Sequence, residues 1–297
     1  MKIRFSLLTL LLLLAPVCYA QNATVAAWNI KGFDPIPATR TRLIARAIHN
    51  MSPDVIALSE VNTSTGEETL DLLVDTLADL GDDYTYIYFP QTSTQSLALL
   101  FKDGVEVADD QLIEGSDDNN SALRKALAAR VRIRRFDFIL ILVHMKSARG
   151  NEERATRTRQ ARAIAGFITD ATSGNEKDVL LIGDYNMIPG DDDVNFQAIS
   201  PGPNNNEFLR FVSTESLSGR ISHFSTCNPV RGNLLDGYAI SRSFTREYRE
   251  GSLRLIPFTN QIFRQAAGTT LDCARYNGFF SDHLPLIARF RATQDDD

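Results

Sequence analysis

The tripeptide Ser281-Asp282-His283 is followed by Leu284-Pro285-Leu286 and an alternating run through Ile287, Arg289 and Phe290. An acid and an imidazole therefore stand side by side just before a strand-like segment. Alone, such a pair reads as readily as a solvated turn ahead of the strand. Its weight comes from four other places where a short apolar run ends in a polar group. Asn29 ends one such run, Glu60 a second and His144 a third, while Asp184 ends a fourth with Asn186 two residues on. Polar endings on strand-like runs predict one constellation at a common edge of a sheet system.

The segments between these endings set the architecture. Residues 39–51 carry Leu43, Ile44, Ala47 and Ile48 at helical spacing, and Ser52-Pro53 stops them. A second amphipathic helix is predicted over 67–80, ended by Gly81, and a third over 152–168. Residues 84–89 and 96–101 read as a strand pair, and 126–133 with 138–143 as a hairpin. The polar, acidic stretch 103–121 reads as a surface loop. So does 189–206, rich in Pro, Gly, Asn and Asp. The runs 138–143 and 178–183 are apolar on both faces, as in central buried strands, and 234–241 is a strand holding Asp236. No repeat, low-complexity tract or linker interrupts the chain. The expectation is an α/β (α+β) fold with two packed sheets and helices outside, in one domain over 21–292.

Both ends of the chain read differently. Lys2 and Arg4 precede an apolar run, and Cys18-Tyr19-Ala20 follows it, as in a secretory signal peptide over 1–20 cut after Ala20. A lipid anchor on Cys18 is the alternative, and Pro16-Val17 before it argues against that. The protein is expected to be secreted or periplasmic, with no transmembrane segment and no stable protein partner, as a monomer. Residues 293–297 read as a solvated acidic tail. Export leaves two cysteines, Cys227 and Cys273, and an even count in an oxidising compartment favours a disulfide over two buried thiols. The formal charge is -6, and loss of Lys2 and Arg4 makes it more negative still. Bulk charge therefore excludes a generally basic nucleic-acid binder, and polyanion binding needs a local patch. Lys146 and Arg149, followed by Arg154, Arg157, Arg159 and Arg162, are the candidate patch. The alternative is a solvated helix whose arginines pair with Glu152 and Glu153.

The chemistry follows from the donor types. Asn29, Glu60, Asp184, Asn186 and Asp282 offer oxygen only, which suits Mg²⁺, with Mn²⁺ and Ca²⁺ as alternatives, rather than zinc. Of four histidines, His144 and His283 adjoin strands and lie near acids, so they are the candidates for moving protons. His49 reads as a surface residue, and His223 carries no readable signal. Asp236 is the candidate to hold His283 in one tautomer. There is no G-x-S-x-G elbow, P-loop or G-x-G-x-x-G.

Taken together, Trp28-Asn29, Leu58-Ser59-Glu60, Val143-His144-Met145-Lys146-Ser147, Gly183-Asp184-Tyr185-Asn186, Leu235-Asp236-Gly237-Tyr238 and Ser281-Asp282-His283 resemble the endonuclease/exonuclease/phosphatase family, with its deoxyribonuclease I-like fold. The order and spacing match over nearly the whole mature chain. Three positions depart: Ser59 stands where Gln is more frequent, Tyr185 where Phe is, and Gly237 where a bulkier residue follows the aspartate. The resemblance implies a four-layer α/β/β/α sandwich of two mixed sheets and metal-dependent hydrolysis of phosphoric esters. It makes Glu60 the main metal ligand, with Asn29 and Asp282 nearby. His283, oriented by Asp236, becomes general base on a water that Asp184 and Asn186 position, and His144 binds phosphate or protonates the leaving oxygen. The cationic run (Lys146, Arg149, Arg154, Arg157) favours a nucleic acid substrate, DNA before RNA. A lipid phosphodiesterase using Phe279-Phe280 for membrane contact, a phosphatase, and a catalytically inactive binding module are the alternatives.

Overall fold

The computed structural model describes residues 22–200 and 208–293, so the expected leader and the chain from 294 onward lie outside the described residues. The chain begins with β1 (Asn22–Phe33), α1 (Ala38–Met51), β2 (Val55–Asn62) and α2 (Gly66–Asp79). Strands β3 (Tyr84–Tyr88), β4 (Gln95–Lys102), β5 (Val105–Leu112), β6 (Leu127–Ile133) and β7 (Phe136–His144) follow. Next come α3 (Asn151–Ala171), β8 (Val179–Asp184), α4 (Asp193–Ile199), β9 (Leu209–Arg210) and α5 (Val212–Ser216). The last third holds the hairpin β10 (His223–Cys227) and β11 (Val230–Asn233), then β12 (Asp236–Ser241), β13 (Arg254–Leu255), α6 (Gln261–Ala267), α7 (Cys273–Phe279) and β14 (Leu286–Arg291).

Two six-stranded mixed sheets result, in the orders β13-β14-β1-β2-β4-β3 and β5-β6-β7-β8-β12-β9. At the heart of each lies a parallel pair, β1–β2 and β7–β8, bridged by α1 and α3. The period of two along β7 builds the layers. Phe138, Leu140 and Leu142 belong to the core shared with the other sheet, while Ile139, Ile141 and Val143 join Ala161, Ile164 and Ile168 of α3. Each such side chain, fully buried, contributes roughly 1.5–3 kcal/mol. Phe290 of one sheet stacks on Phe136 of the other, with centroids 5.1 Å apart. With α1, α2 and α6 outside the first sheet and α3 and α4 outside the second, the architecture is the expected α/β/β/α sandwich.

The stretch 103–121 is not the expected loop. Residues Val105–Leu112 form edge strand β5, paired with β6. Val105, Val107 and Leu112 still alternate toward the core, and the ladder to β6 outweighs the acidic composition. The acids suit an exposed edge, and a register shift between Ala108 and Gln111 breaks the ladder where Asp109 adopts φ 52°. Within 189–206, residues Asp193–Ile199 are helical, with Phe196 and Ile199 in the outer core.

Cys227 and Cys273 are bonded, with Cα atoms 5.4 Å apart, across 46 residues of sequence. The bridge fastens the β10–β11 hairpin to the first residue of α7. Closing a loop of that length contributes about 3–4 kcal/mol on the chain-entropy estimate. Non-reducing peptide mapping of the native protein is expected to recover this pair, and reduction to lower the melting temperature. Two alkylatable thiols in native protein would exclude it.

Candidate active site

Three candidate residues occupy adjacent rungs of one sheet. His144 pairs with Asp184 across β7–β8, and Asp184 with Asp236 across β8–β12. Their spacing is therefore set by the strand ladder itself. His283 meets this row from the other sheet: its Nδ1 lies 2.8 Å from Asp236 Oδ2 and its Nε2 3.8 Å from Asp184 Oδ2. The tautomer that donates from Nδ1 to Asp236 leaves Nε2 facing Asp184.

The tripeptide that carries His283 is held by its backbone. Trp28 Nε1 and Tyr276 Oη both donate to the His283 carbonyl, at 3.1 and 2.7 Å. Ser281 Oγ donates to Asn29 O at 2.7 Å and accepts from His283 N at 3.0 Å. Beneath it, Trp28, Phe263, Tyr276 and Phe280 form a buried aromatic cluster. Phe280 is thus an anchor for the site, and only Phe279, 38% exposed, reaches the surface.

Glu60 sits on a bulge. The register of β2 against β4 shifts between Ser59 and Val61, and Glu60 takes φ 65°. The extra residue turns the carboxylate out of the pleat and into the cavity. Glu60 Oε1 accepts from Asn29 Nδ2 at 3.0 Å, and Oε2 from Gln95 Nε2 at 2.7 Å and Gly32 N at 3.1 Å. Asn29 Nδ2 also donates to Asp184 Oδ2 at 3.0 Å. Asn29 Oδ1 is buried with no hydrogen-bond partner. An orphaned amide oxygen beside a carboxylate is costly as it stands, and it matches the oxygen-only preference of a hard divalent cation. Asp282 stands apart from this cluster: its Oδ2 is 2.8 Å from Lys31 Nζ and 4.0 Å from His223 Nε2.

The charges are strongly coupled. Burial raises Asp184 well above the usual carboxylate range; His283 opposes that, and Asp236 adds to it. Burial alone would lower His283, but Asp236, Asp184 and Asp282 outweigh it and raise the imidazole. His144 is lowered by burial, then by Arg124 and His283, so it is a neutral imidazole. Its Nε2 faces two carboxylates, 3.6 Å from Asp184 and 3.9 Å from Glu60, and its Nδ1 is buried without a hydrogen-bond partner. Asn186, at φ 51°, donates from Nδ2 to Met145 O at 3.2 Å and so ties the two strand-end loops together.

The expected cationic patch is corrected by a single buried acid. Arg157 is 1% exposed; it donates to Asp192 Oδ1, Lys146 O and Ala148 O, each at 3.0 Å. Arg154 and Arg149 also bind Asp192, at 3.2 and 2.9 Å. Arg157 thus clamps the loop after His144 and presents nothing to a substrate, and Arg154 is turned to the same carboxylate. Lys146 does not line the cavity and turns its Nζ to Ser147 O at 3.1 Å. Arg149 alone of the four lines it. The cations found there instead are Lys31 and Arg124, around a cavity of about 420 Å³ that also exposes Glu60, Asp184, Asp282 and His283.

Gln95, Arg124, His223 and Asp192 were not legible as site residues. Gln95 now supplies an amide to Glu60, although Ser59 lacks one. The other two sequence departures explain each other: a Cβ at Gly237 would lie 2.0 Å from the ring of Tyr185, whose hydroxyl donates to Leu181 O at 2.6 Å.

Among solved structures, D. rerio TDP2 complexed with a single-strand DNA product matches with TM-score 0.65 and 18% identity, over 91% of this chain and 99% of that one. The human nocturnin catalytic domain with bound sulfate matches with TM-score 0.61 and 19% identity, over 91% and 93%. A Bacteroides thetaiotaomicron mannosyl-6-phosphatase matches with TM-score 0.62 and 14% identity, over 90% and 98%. At such identities the likeness shows the fold. A search of curated proteins gives no match. A family model does match, over residues 26–283. The chain belongs to the endonuclease/exonuclease/phosphatase family, the metal-dependent phosphoric ester hydrolases.

Proposed function

We propose that this protein is an exported, divalent-metal-dependent phosphodiesterase acting on nucleic acid, DNA before RNA. The reading is carried by the row His144–Asp184–Asp236 with His283 against it, joined through the Asn29–Asp184 hydrogen bond to the Asn29–Glu60 oxygen pair beside one cavity. Glu60 and Asn29 Oδ1 would hold the cation, Mg²⁺ first and Mn²⁺ or Ca²⁺ as alternatives, while Asp282 stays with Lys31. When bound, the cation supplies charge to the phosphorane oxygens and draws down the proton affinity of its neighbours.

The chain's own groups do the rest. His283, with the Asp184 carboxylate 3.8 Å from its Nε2, accepts the proton of the attacking water, with Asp236 fixing the imidazole. Neutral His144 donates a hydrogen bond from Nε2 to a phosphate oxygen. Its burial in the uncharged form favours phosphate binding over service as a strong acid. Lys31, Arg124 and Arg149 place positive charge on the cavity walls of an acidic protein, which suits a phosphate chain. Export is supported by the leader-like start and by the Cys227–Cys273 pair.

The test is a substrate panel with and without Mg²⁺: plasmid DNA, RNA, sphingomyelin and phosphoinositide vesicles, a sugar phosphate and a nitrophenyl phosphodiester. DNA is expected to be cleaved fastest, with binding falling as salt rises at a log–log slope of roughly −0.9 per phosphate contacted. Faster turnover of vesicles or of the sugar phosphate would overturn the nucleic-acid reading. Absence of metal-dependent hydrolysis of every substrate would overturn the enzymatic one.

A further inference from the structure

His223 has no part in the chemistry above, yet the backbone delivers it to the cavity. Strand β10 runs beside the Ser281–His283 turn: Phe224 N donates to Asp282 O at 2.8 Å, and Leu284 N to Ser222 O at 2.7 Å. His223 and His283 form an antiparallel bridge, with their rings 4.6 Å apart between centroids. One ligand atom from each of His223, Asp282 and His283 lies within 4.8 Å of the others. Asp236 already holds His283 Nδ1, leaving Nε2 as the free donor. A carboxylate on the far nitrogen is the arrangement that orients a metal-binding imidazole.

We propose that His223, Asp282 and His283 form a transition-metal site, of the zinc class, separate from the Asn29–Glu60 oxygen pair. Two imidazole nitrogens and one carboxylate select Zn²⁺, Co²⁺ or Ni²⁺ over Mg²⁺ and Ca²⁺. Metal–ligand bonds of about 2.0–2.1 Å require the three atoms to close in, chiefly by movement of Asp282 and His223, since Asp236 holds the His283 ring. The present partner of Asp282 is Lys31, whose side chain is 55% exposed and leaves for solvent at little cost. The bridge between β10 and the Ser281–His283 turn already fixes both backbones, and Asp236 fixes the His283 ring, so part of the ordering that opposes binding is already done. Occupancy takes His283 Nε2 out of proton transfer, and zinc therefore inhibits. This last consequence rests on the role proposed for His283; the binding itself does not.

Zn²⁺ is titrated calorimetrically into the mature protein in excess Mg²⁺, and Co²⁺ is followed by its visible absorption. One ion per chain is expected at this site. His223→Gln should weaken it at least ~10-fold, the scale seen when even an outer partner of a metal site is lost. Lys31→Ala, which frees Asp282, should tighten it, and Glu60→Gln should leave it in place. Zinc is also expected to slow Mg²⁺-supported hydrolysis of the nitrophenyl phosphodiester. His223→Gln should need at least ~10-fold more zinc for the same fractional loss, relative to its own zinc-free rate. Unchanged zinc affinity in His223→Gln, or loss of the site in Glu60→Gln, overturns the assignment. Zinc bound without slowing overturns its inhibitory role.

Discussion

His283→Ala and Glu60→Gln are each expected to lower kcat/KM at least ~100-fold, the lower end of what positioned acid–base groups supply. That is about 2.7 kcal/mol of lost transition-state stabilisation. The two changes remove different things. His283→Ala deletes the imidazole between Asp236 and Asp184, so the attacking water loses its proton acceptor. Glu60→Gln keeps the shape but removes the negative charge beside Asn29 Oδ1, so the cation loses its anchor. Neither should unfold the chain. Trp28, Tyr276 and Ser281 bind the backbone of His283, and those bonds survive the loss of its ring. Steady-state kinetics on the nitrophenyl phosphodiester, with melting curves alongside, checks both. Near-wild-type turnover in either variant would place the chemistry elsewhere.

Asp192→Ala is expected to cost about 3–5 kcal/mol of stability, the range for removing one partner of a buried ion pair. Asp192 receives Arg149, Arg154 and Arg157, and its Oδ2 also accepts from Ile188 N at 2.8 Å. Its own burial would raise its pKa, but the Ile188 N–H and Arg157 outweigh that and hold it low. A depressed carboxylate stabilises the fold above its unfolded-state pKa, and that stability fades as pH falls through its folded-state value. Without Asp192, the Arg157 guanidinium is left inside the protein facing only carbonyls. Arg154→Ala, by contrast, removes a half-exposed partner and should cost less than about 1 kcal/mol. Urea denaturation of the two variants separates these outcomes. Equal, small losses would show that Asp192 is not the hub.

The sequence and the structure diverge in an instructive way here. Glu60, His144, Asp184 and the Ser281–His283 turn were legible because each breaks an apolar run, and a polar group in that position needs a partner or a function. The four-layer fold was legible for the same reason, since strands and helices kept their periods. Asp192 was not legible: it sits in a stretch that reads as loop, and its arginine partners lie 35 to 43 residues away. The arginines looked like a patch because composition records charge and not where the counter-charge folds to. Gln95, Arg124 and His223 were hidden similarly, each brought to the cavity by pairing or packing across the fold. The acidic edge strand was misread because propensity is local, whereas the β5–β6 ladder is tertiary.

The rungs that align His144, Asp184 and Asp236 belong to the middle of the second sheet, not to a flap over it. They lie at strand ends, His144 and Asp184 last in β7 and β8 and Asp236 first in β12, and all three are buried. Buried, paired segments of this kind are expected to open less often than exposed loops. Adaptability to a substrate is then expected of the elements around the cavity mouth rather than of this row. The backbones of His144, Asp184 and Asp236 keep ladder spacing for as long as those pairings hold.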